Sequence, residues 1–155
     1  EAQMDRFLMK MSMGYPDRAE EKAILARRKL RGKDGHDVEQ ITSPKKVVAM
    51  QKALETVHVD PAILSYIVEV VQRSREDHRV ITGASPRASQ SLFKTGRASA
   101  AIDSRDYVIP DDIKRVALRV CSHRIVLKPE AKIRGITGMH IMRKILSEVP
   151  VPVIQ

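Results

Sequence analysis

Three consecutive residues, Ser85-Pro86-Arg87, combine a hydroxyl, a helix start and a guanidinium in a pattern that could bind an anion. A serine hydroxyl accepts a hydrogen bond from an unpaired N–H at a helix start, and proline fits the first helical position because no N–H is needed there. A cation in the first turn is unfavourable by about 0.3–1 kcal/mol, because that end of the helix already carries partial positive charge. Arg87 would be well placed if a phosphate bound there. The alternative is a solvated arginine beside an ordinary cap, and the pattern leaves both interpretations open.

The charge of the chain raises a second hypothesis, a basic helical module that binds nucleic acid. The 155 residues include 28 Lys and Arg against 19 Asp and Glu, for a formal net charge of +9. Such a charge favours anionic partners. The basic residues are, however, interleaved with acidic ones, and aromatic residues make up only 3%, too few for the stacking surface that binds single strands. Nucleic-acid binding therefore stays open as an alternative function of the chain.

Several other kinds of site are not indicated. The single cysteine, Cys121, excludes an internal disulfide and is typical of a reducing cytosol, so we expect a cytoplasmic protein with this residue in the core. No apolar run approaches the roughly 20 residues of a membrane span. The sequence contains no Gly-x-x-x-x-Gly-Lys-Ser/Thr phosphate loop and no Gly-x-Ser-x-Gly nucleophile elbow. No metal site is predicted, because metal-ligand spacing is missing among the five histidines: His36, His58, His78, His123 and His140.

Repeated cap signals predict an all-α fold, a bundle of five or six helices preceded by one orphan strand. Ser or Asp followed by Pro, or a lone Asp or Pro, marks most helix starts. The predicted helices begin near residues 17, 43, 60, 85, 110 and 137, and residues 31–42 form a polar loop. Their apolar faces are predicted to contain Ile63, Leu64, Ile67, Val68 and Val71; Leu92, Phe93 and Ala100; Ile113, Val116, Ala117 and Val120; and Met142, Ile145 and Leu146. Residues 7–13 alternate like a strand, which would either belong to a sheet outside this chain or pair with an adventitious partner.

Three stretches together resemble MoxR-type AAA+ ATPases, in order and over nearly the whole chain. Glu1-Ala-Gln-Met-Asp-Arg-Phe with Gly14-Tyr-Pro16 is similar to the last strand region of their ATPase core. Gly83-Ala-Ser-Pro-Arg-Ala-Ser89 is similar to their second-sensor motif. Gly96-Arg-Ala98, residues 105–112 and His123-Arg124 are similar to the rest of their helical lid. The family often has a small residue such as Ala at the positions of Thr95 and Ser99, which we interpret as surface variation.

The resemblance implies roles for named residues. Arg87 would be the second sensor and reach the phosphates of ATP bound to its own subunit, with Ser85 and Pro86 shaping that site. Arg6 would be an arginine finger acting in trans on the ATP of the neighbouring subunit. Without the resemblance, an ion pair of Arg6 with Glu1 or Asp5 would be the simpler interpretation. His123-Arg124, near a helix end, suits the helix dipole and needs no function.

The resemblance also divides the chain and defines its partners. Residues 1–16 would be the end of the ATPase core and residues 17–155 the lid. We expect a piece cut from a longer protein, because it begins at Glu1 without a methionine. This piece would neither hydrolyse ATP nor bind it tightly. The parent would use ATP and magnesium, form a ring, usually a hexamer, and remodel client proteins, often ones with von Willebrand factor A domains. A passive adaptor or oligomerisation domain is a third hypothesis.

Overall fold

The computed structural model describes residues 3–35 and 38–153, so Glu1 and His36 lie outside the described residues. Within these ranges it contains seven α-helices, and the predicted all-α helical bundle is confirmed. The α-helices are α1 (Arg18–Arg31), α2 (Pro44–Leu54), α3 (Pro61–Glu76), α4 (Pro86–Ile102), α5 (Pro110–Cys121), α6 (Pro129–Ile133) and α7 (Gly138–Glu148). The helix that the sequence missed is α6, whose five residues are too few to show a helical period. None of the described helices is long and apolar enough to cross a membrane.

Two compact units divide the chain, Met11–Ala49 and the remainder, which comprises Glu1–Lys10 and Met50–Gln155. The first unit contains α1, which begins as predicted at the Asp17 cap. The Asp17 carboxylate accepts from the N–H of Glu20 at 2.8 Å, and the Glu20 carboxylate accepts from the N–H of Asp17 at 2.9 Å. This reciprocal pair satisfies two N–H groups that a helix start otherwise leaves unpaired.

The predicted strand over residues 7–13 is wrong, because these residues form no strand in the structure. A strand needs a partner to satisfy its backbone groups. In this segment the N–H of Lys10 instead donates to the carbonyl of Arg119 at 2.9 Å. The strands of the described chain lie elsewhere: β1 (Val80–Thr82) pairs antiparallel with β2 (Val126–Leu127). Both are too short to show alternation.

The larger unit buries a core between α3, α4, α5 and α7. The buried face of α3 contains Ile63, Ile67 and Val71 as predicted. Leu64 and Val68 were predicted wrongly and are 42% and 45% exposed. Tyr66 and Val70 are buried in their place. The predicted faces of the other helices are confirmed, although Phe93 and Leu146 are only partly buried.

Close packing of α4 on α5 explains two further positions. A Cβ added at Gly96 would lie 2.5 Å from Cδ1 of Ile113, so the glycine permits the close approach. Thr95 and Ser99 are not surface positions, since each is only 5% exposed. The Thr95 hydroxyl donates to the carbonyl of Ser91 at 2.7 Å, and the Ser99 hydroxyl accepts from Arg115 at 3.3 Å. Their hydroxyls are satisfied locally, which makes them compatible with burial.

The connector between α4 and α5 is fixed by a buried ion pair. Both terminal nitrogens of Arg105 lie 2.7 Å from the carboxylate of Asp112, which also accepts from the N–H of Ile109. Burial would raise the pKa of Asp112, but these donors outweigh it and hold the pKa below its usual value. The carboxylate is therefore charged at neutral pH and pins the start of α5.

Candidate functional site

The loop before α4 is held rigidly against the end of α3. The N–H of Ala84 donates to the Ser74 hydroxyl at 2.9 Å, and that hydroxyl donates to the carbonyl of Val71 at 2.6 Å. Nε of Arg75 donates to the carbonyl of Ala84 at 2.8 Å. A Cβ added at Gly83 would lie 2.6 Å from the backbone oxygen of Ser74. The glycine of the predicted motif is therefore required by packing, and the contacts fix where α4 begins.

We expect Gly83→Ala to lower the free energy of unfolding by about 1–3 kcal/mol, because the added methyl meets backbone that must shift. Urea denaturation of the chain measures this loss. Gly35→Ala is the matched control, since a Cβ at Gly35 would have nothing within 4 Å and its backbone lies outside the left-handed region. A loss in Gly83→Ala no larger than that of the control would contradict the packing argument.

The predicted cap at Ser85 is confirmed. The Ser85 hydroxyl accepts from the N–H of Arg87 at 3.2 Å, and Pro86 is the first residue of α4. The same hydroxyl donates to the Asp5 carboxylate, with both oxygens 3.0 Å away. Ser85 therefore joins the start of α4 to a residue 80 positions earlier in the chain.

The Arg87 guanidinium lies on the surface, on the side of α4 where the Met4–Arg6 turn packs. Its side chain is 53% exposed, and Nη1 lies 3.8 Å from Oδ2 of Asp5. At this distance the two side chains form an ion pair but no hydrogen bond. In the isolated chain, the anion that the helix start favours is therefore the carboxylate of Asp5. Because Arg87 is neither buried nor turned away from residues 3–10, its geometry is compatible with the predicted role, which remains a prediction.

Arg124 organises the site through buried hydrogen bonds that the sequence did not predict. It lies in a 3₁₀ turn, Ser122–Arg124, after α5, and its side chain is only 1% exposed. Nε donates to Asp5 Oδ1 at 3.1 Å, and Nη2 donates to the carbonyls of Asp5 and Phe7 at 3.2 and 2.7 Å. Other donations go to the carbonyls of Leu8 and Val120 and to the Ser91 hydroxyl. The bond to Val120 fits the expected dipole contact, and the remaining bonds tie residues 5–8 to the bundle.

His123 adds a second contact to the same segment. Its ring nitrogens lie 3.1 Å from the carbonyl of Arg119 and 3.2 Å from the carbonyl of Phe7. Burial and the charge of Arg124 lower the pKa of His123, and the hydrogen bonds to the two carbonyls raise it. The first two effects are larger, so the pKa lies below its usual value. The neutral ring that results donates to only one of these carbonyls at a time.

Arg6 is presented to solvent by a turn that is itself held in place. The 3₁₀ turn Met4–Arg6 leaves the Arg6 side chain exposed, and within residues 3–35 and 38–153 it has no ion-pair partner. Asp5, the alternative partner that the sequence offered, is instead bound by Ser85, Arg124 and Arg87. Glu1 lies outside the described residues. The finger role of Arg6 is untested, but its position leaves the guanidinium available to another molecule.

The donors at the start of α4 fit a phosphate, and the region offers no magnesium site. Arg87 is a donor of the kind that phosphates prefer, whereas the Ser85 hydroxyl already donates its proton to Asp5 and Pro86 contributes only helix geometry. Among the described residues, no group of three His, Cys, Asp or Glu is placed to hold a metal ion. Burial raises the pKa of Cys121 to about 12, so its thiol is an unreactive core group, as predicted.

Comparison with known proteins agrees with this architecture. Residues 72–145 match the AAA lid domain family. The uncharacterized protein YeaC of Bacillus subtilis (strain 168) is 42% identical over 99% of this chain, which covers 48% of that protein. Chaperone MoxR1 of Mycobacterium tuberculosis is 34% identical over 98% of this chain and 42% of its own length. The solved structure of a "putative ATPase" from Cytophaga hutchinsonii has a TM-score of 0.87 at 33% identity, over 98% of this chain and 48% of that one.

The chain spans about half the length of these three relatives. A protein named MoxR from Methylorubrum extorquens also matches 97% of this chain, and one from Paracoccus denitrificans matches 46% of it. The resemblance that the sequence predicted is thereby confirmed: the chain corresponds to part of MoxR-type proteins, and its residues 72–145 match the AAA lid domain.

Proposed function

We propose that this chain is the nucleotide-sensing lid of an ATPase that couples ATP hydrolysis to the remodelling or activation of partner proteins. The observation that carries the proposal is the position of Arg87, half-exposed at the capped start of α4 and beside the Met4–Arg6 turn. A lid residue at the phosphates senses nucleotide by changing the angle between lid and core, which is a hinge-type closure. The name of the relative Chaperone MoxR1 supports a chaperone-like role.

The proposal includes an assembly and its partners. ATP with Mg²⁺ would be held mainly by an ATPase core, with Arg87 facing the phosphates of its own subunit and Ser85 and Pro86 fixing the helix start that carries it. Arg6 would face the ATP of the next subunit in a ring, which we expect to be a hexamer in the cytoplasm. The client class, proteins with von Willebrand factor A domains, follows from the family resemblance alone. ATP supplies the phosphoryl group that is transferred to water.

Arg87→Ala tests the proposal in the ATPase that contains this chain. We expect ATP turnover to fall by about 10–100-fold and binding of a non-hydrolysable ATP analogue to weaken, because a charge-assisted contact to phosphate is worth about 1.5–3 kcal/mol. Arg87→Lys keeps the charge but loses the two-pronged donor geometry, so we expect a smaller loss. Steady-state kinetics and calorimetric titration measure both.

Lys94→Ala is the matched control, because Lys94 is an exposed cation on the same helix, about two turns further along. Its substitution should leave binding and turnover unchanged. If Arg87→Ala behaves like Lys94→Ala while both proteins stay folded, the sensing role of Arg87 is wrong.

A further inference from the structure

We propose that Asp5 competes with the terminal phosphates of the nucleotide for Arg87, and so couples the sensor to the turn that carries Arg6. This inference rests on the proposed function and deepens it. It assigns a positioning role to Asp5, a residue that the sequence offered only as a salt-bridge partner for Arg6. Three features of the structure support it: the different distances of Ser85, Arg124 and Arg87 from the Asp5 carboxylate, the exposure of Arg87, and the peptide bond between Asp5 and Arg6.

The three partners of Asp5 hold it with unequal strength. The Ser85 hydroxyl and Nε of Arg124 lie at 3.0 and 3.1 Å, within hydrogen-bond distance. Arg87 lies at 3.8 Å and its side chain is 53% exposed, against 1% for Arg124. Arg87 is therefore the one of these three partners that can leave without exposing an unsatisfied buried group. The Asp5 carboxylate keeps two donors after Arg87 departs.

A nucleotide phosphate is the stronger competitor for a guanidinium. It carries more charge than a carboxylate and accepts two parallel hydrogen bonds from arginine, whereas the Asp5 carboxylate lies 3.8 Å from Arg87 and makes no hydrogen bond with it. Asp5 would therefore hold Arg87 near the start of α4 while nucleotide is absent and release it when phosphates arrive. The free energy spent on breaking this ion pair is subtracted from nucleotide affinity, so the carboxylate weakens binding through Arg87.

The release is transmitted to Arg6 through the backbone. Nη2 of Arg124 donates to the carbonyl of Asp5, which belongs to the peptide bond between Asp5 and Arg6. Nε of Arg124 donates to the Asp5 side chain at the same time. When Arg87 leaves, Arg124 and Ser85 alone set the position of the carboxylate and thus the base of the Arg6 side chain. One carboxylate thereby links the cis sensor to the trans finger.

Asp5→Asn separates this role from a structural one, because asparagine keeps an acceptor for Ser85 and Arg124 but removes the charge. We expect affinity for a non-hydrolysable ATP analogue with Mg²⁺ to rise about two- to five-fold, the value of an exposed ion pair. We expect turnover at saturating ATP to fall about ten-fold, because the Arg6 turn is less well positioned. Tighter binding with slower turnover is not the result of simple unfolding.

The diagnostic measurement is a double-mutant cycle in the full ATPase, with dissociation constants from calorimetry for wild type, Asp5→Asn, Arg87→Ala and the double variant. Tighter binding by Asp5→Asn only when Arg87 is present supports competition. Unchanged affinity in Asp5→Asn, or equal tightening in the Arg87→Ala background, overturns it, while weaker binding by Arg87→Ala alone still supports the proposed function. Unchanged affinity in Arg87→Ala contradicts the proposed function itself.

Two further variants guard the experiment. Asp111→Asn removes an exposed carboxylate whose ion pair with Lys114 is also 3.8 Å long, so it matches the charge change and should leave nucleotide affinity unchanged. If Asp5→Asn does not fold, Asp5→Glu replaces it. Glutamate keeps the charge, so affinity should stay equal to or below that of wild type, and tighter binding would overturn the proposal.

Discussion

Arg6→Ala is expected to lower ATP turnover by about 10³–10⁵-fold in the proposed ATPase, the range found for arginine fingers in related phosphoryl-transfer systems. A guanidinium from the neighbouring subunit would stabilise the charge that develops on the transferring phosphoryl group. The structure supports this expectation because the Arg6 side chain is exposed on a turn that Arg124 holds at Asp5. We expect the steady-state turnover of Arg6→Ala to fall while its affinity for nucleotide stays nearly unchanged.

The control for Arg6 is an arginine with similar exposure and no assigned role. Arg143 lies on the exposed side of α7, and Arg143→Ala should leave turnover unchanged. The melting temperature of Arg6→Ala should also equal that of wild type, because within the described chain the Arg6 side chain makes no ion pair. Turnover within a few fold of wild type in Arg6→Ala would remove the finger assignment.

Co-expression of two impaired variants tests whether the finger acts in trans. In a ring of mixed Arg6→Ala and Arg87→Ala subunits, some interfaces combine an intact Arg87 on one side with an intact Arg6 on the other. Those interfaces should raise turnover above that of either variant alone. Turnover of the mixed assembly no higher than that of Arg87→Ala would contradict the assignment of the two residues to neighbouring subunits.

Local chemistry made the helix starts predictable from the sequence. Asp17, Ser85 and Pro110 act within a few residues of their own position, so cap preference and fixed proline geometry were enough to place α1, α4 and α5. The predicted face of α3 was wrong at Leu64 and Val68 because apolar residue type alone did not fix the helical phase. Tertiary packing selected Tyr66 and Val70 instead.

The network around Asp5 could not be predicted, because its contacts are distant in sequence. Ser85 lies 80 residues and Arg124 119 residues from Asp5 along the chain. A basic residue after a helix C-terminus has a sufficient local explanation in the dipole, so nothing at residue 124 signalled burial. One signal was available: the cation in the first turn of α4 called for an anion. We predicted from the sequence that this anion is a phosphate, whereas in the structure of the isolated chain it is the Asp5 carboxylate.

The largest stability effect is expected at Arg124. Arg124→Ala should lower the free energy of unfolding by roughly 3–5 kcal/mol, because hydrogen bonds to a charged group are worth about 1.5–3 kcal/mol and those to carbonyls about 0.5–1.5 kcal/mol each. The substitution removes the Nε donor from the Asp5 carboxylate and the Nη donors from the carbonyls of Phe7 and Val120. Urea denaturation of the 155-residue chain, with linear extrapolation, measures the loss.

Two comparison variants show whether geometry or charge carries that loss. Arg119→Ala removes an exposed arginine one turn earlier whose side chain donates one bond, to its own helix at 3.4 Å, so a change within about 0.5 kcal/mol is expected. Arg124→Lys keeps the charge, but the lysine ammonium cannot replace the three planar nitrogen donors of the guanidinium. We therefore expect this variant to be more stable than Arg124→Ala but less stable than wild type. Full recovery by lysine would mean that charge alone holds residues 5–8. A loss in Arg124→Ala equal to that of Arg119→Ala would mean that the buried hydrogen bonds of Arg124 add no stability. The contacts that position the Arg6 turn would then have to involve residues other than Arg124.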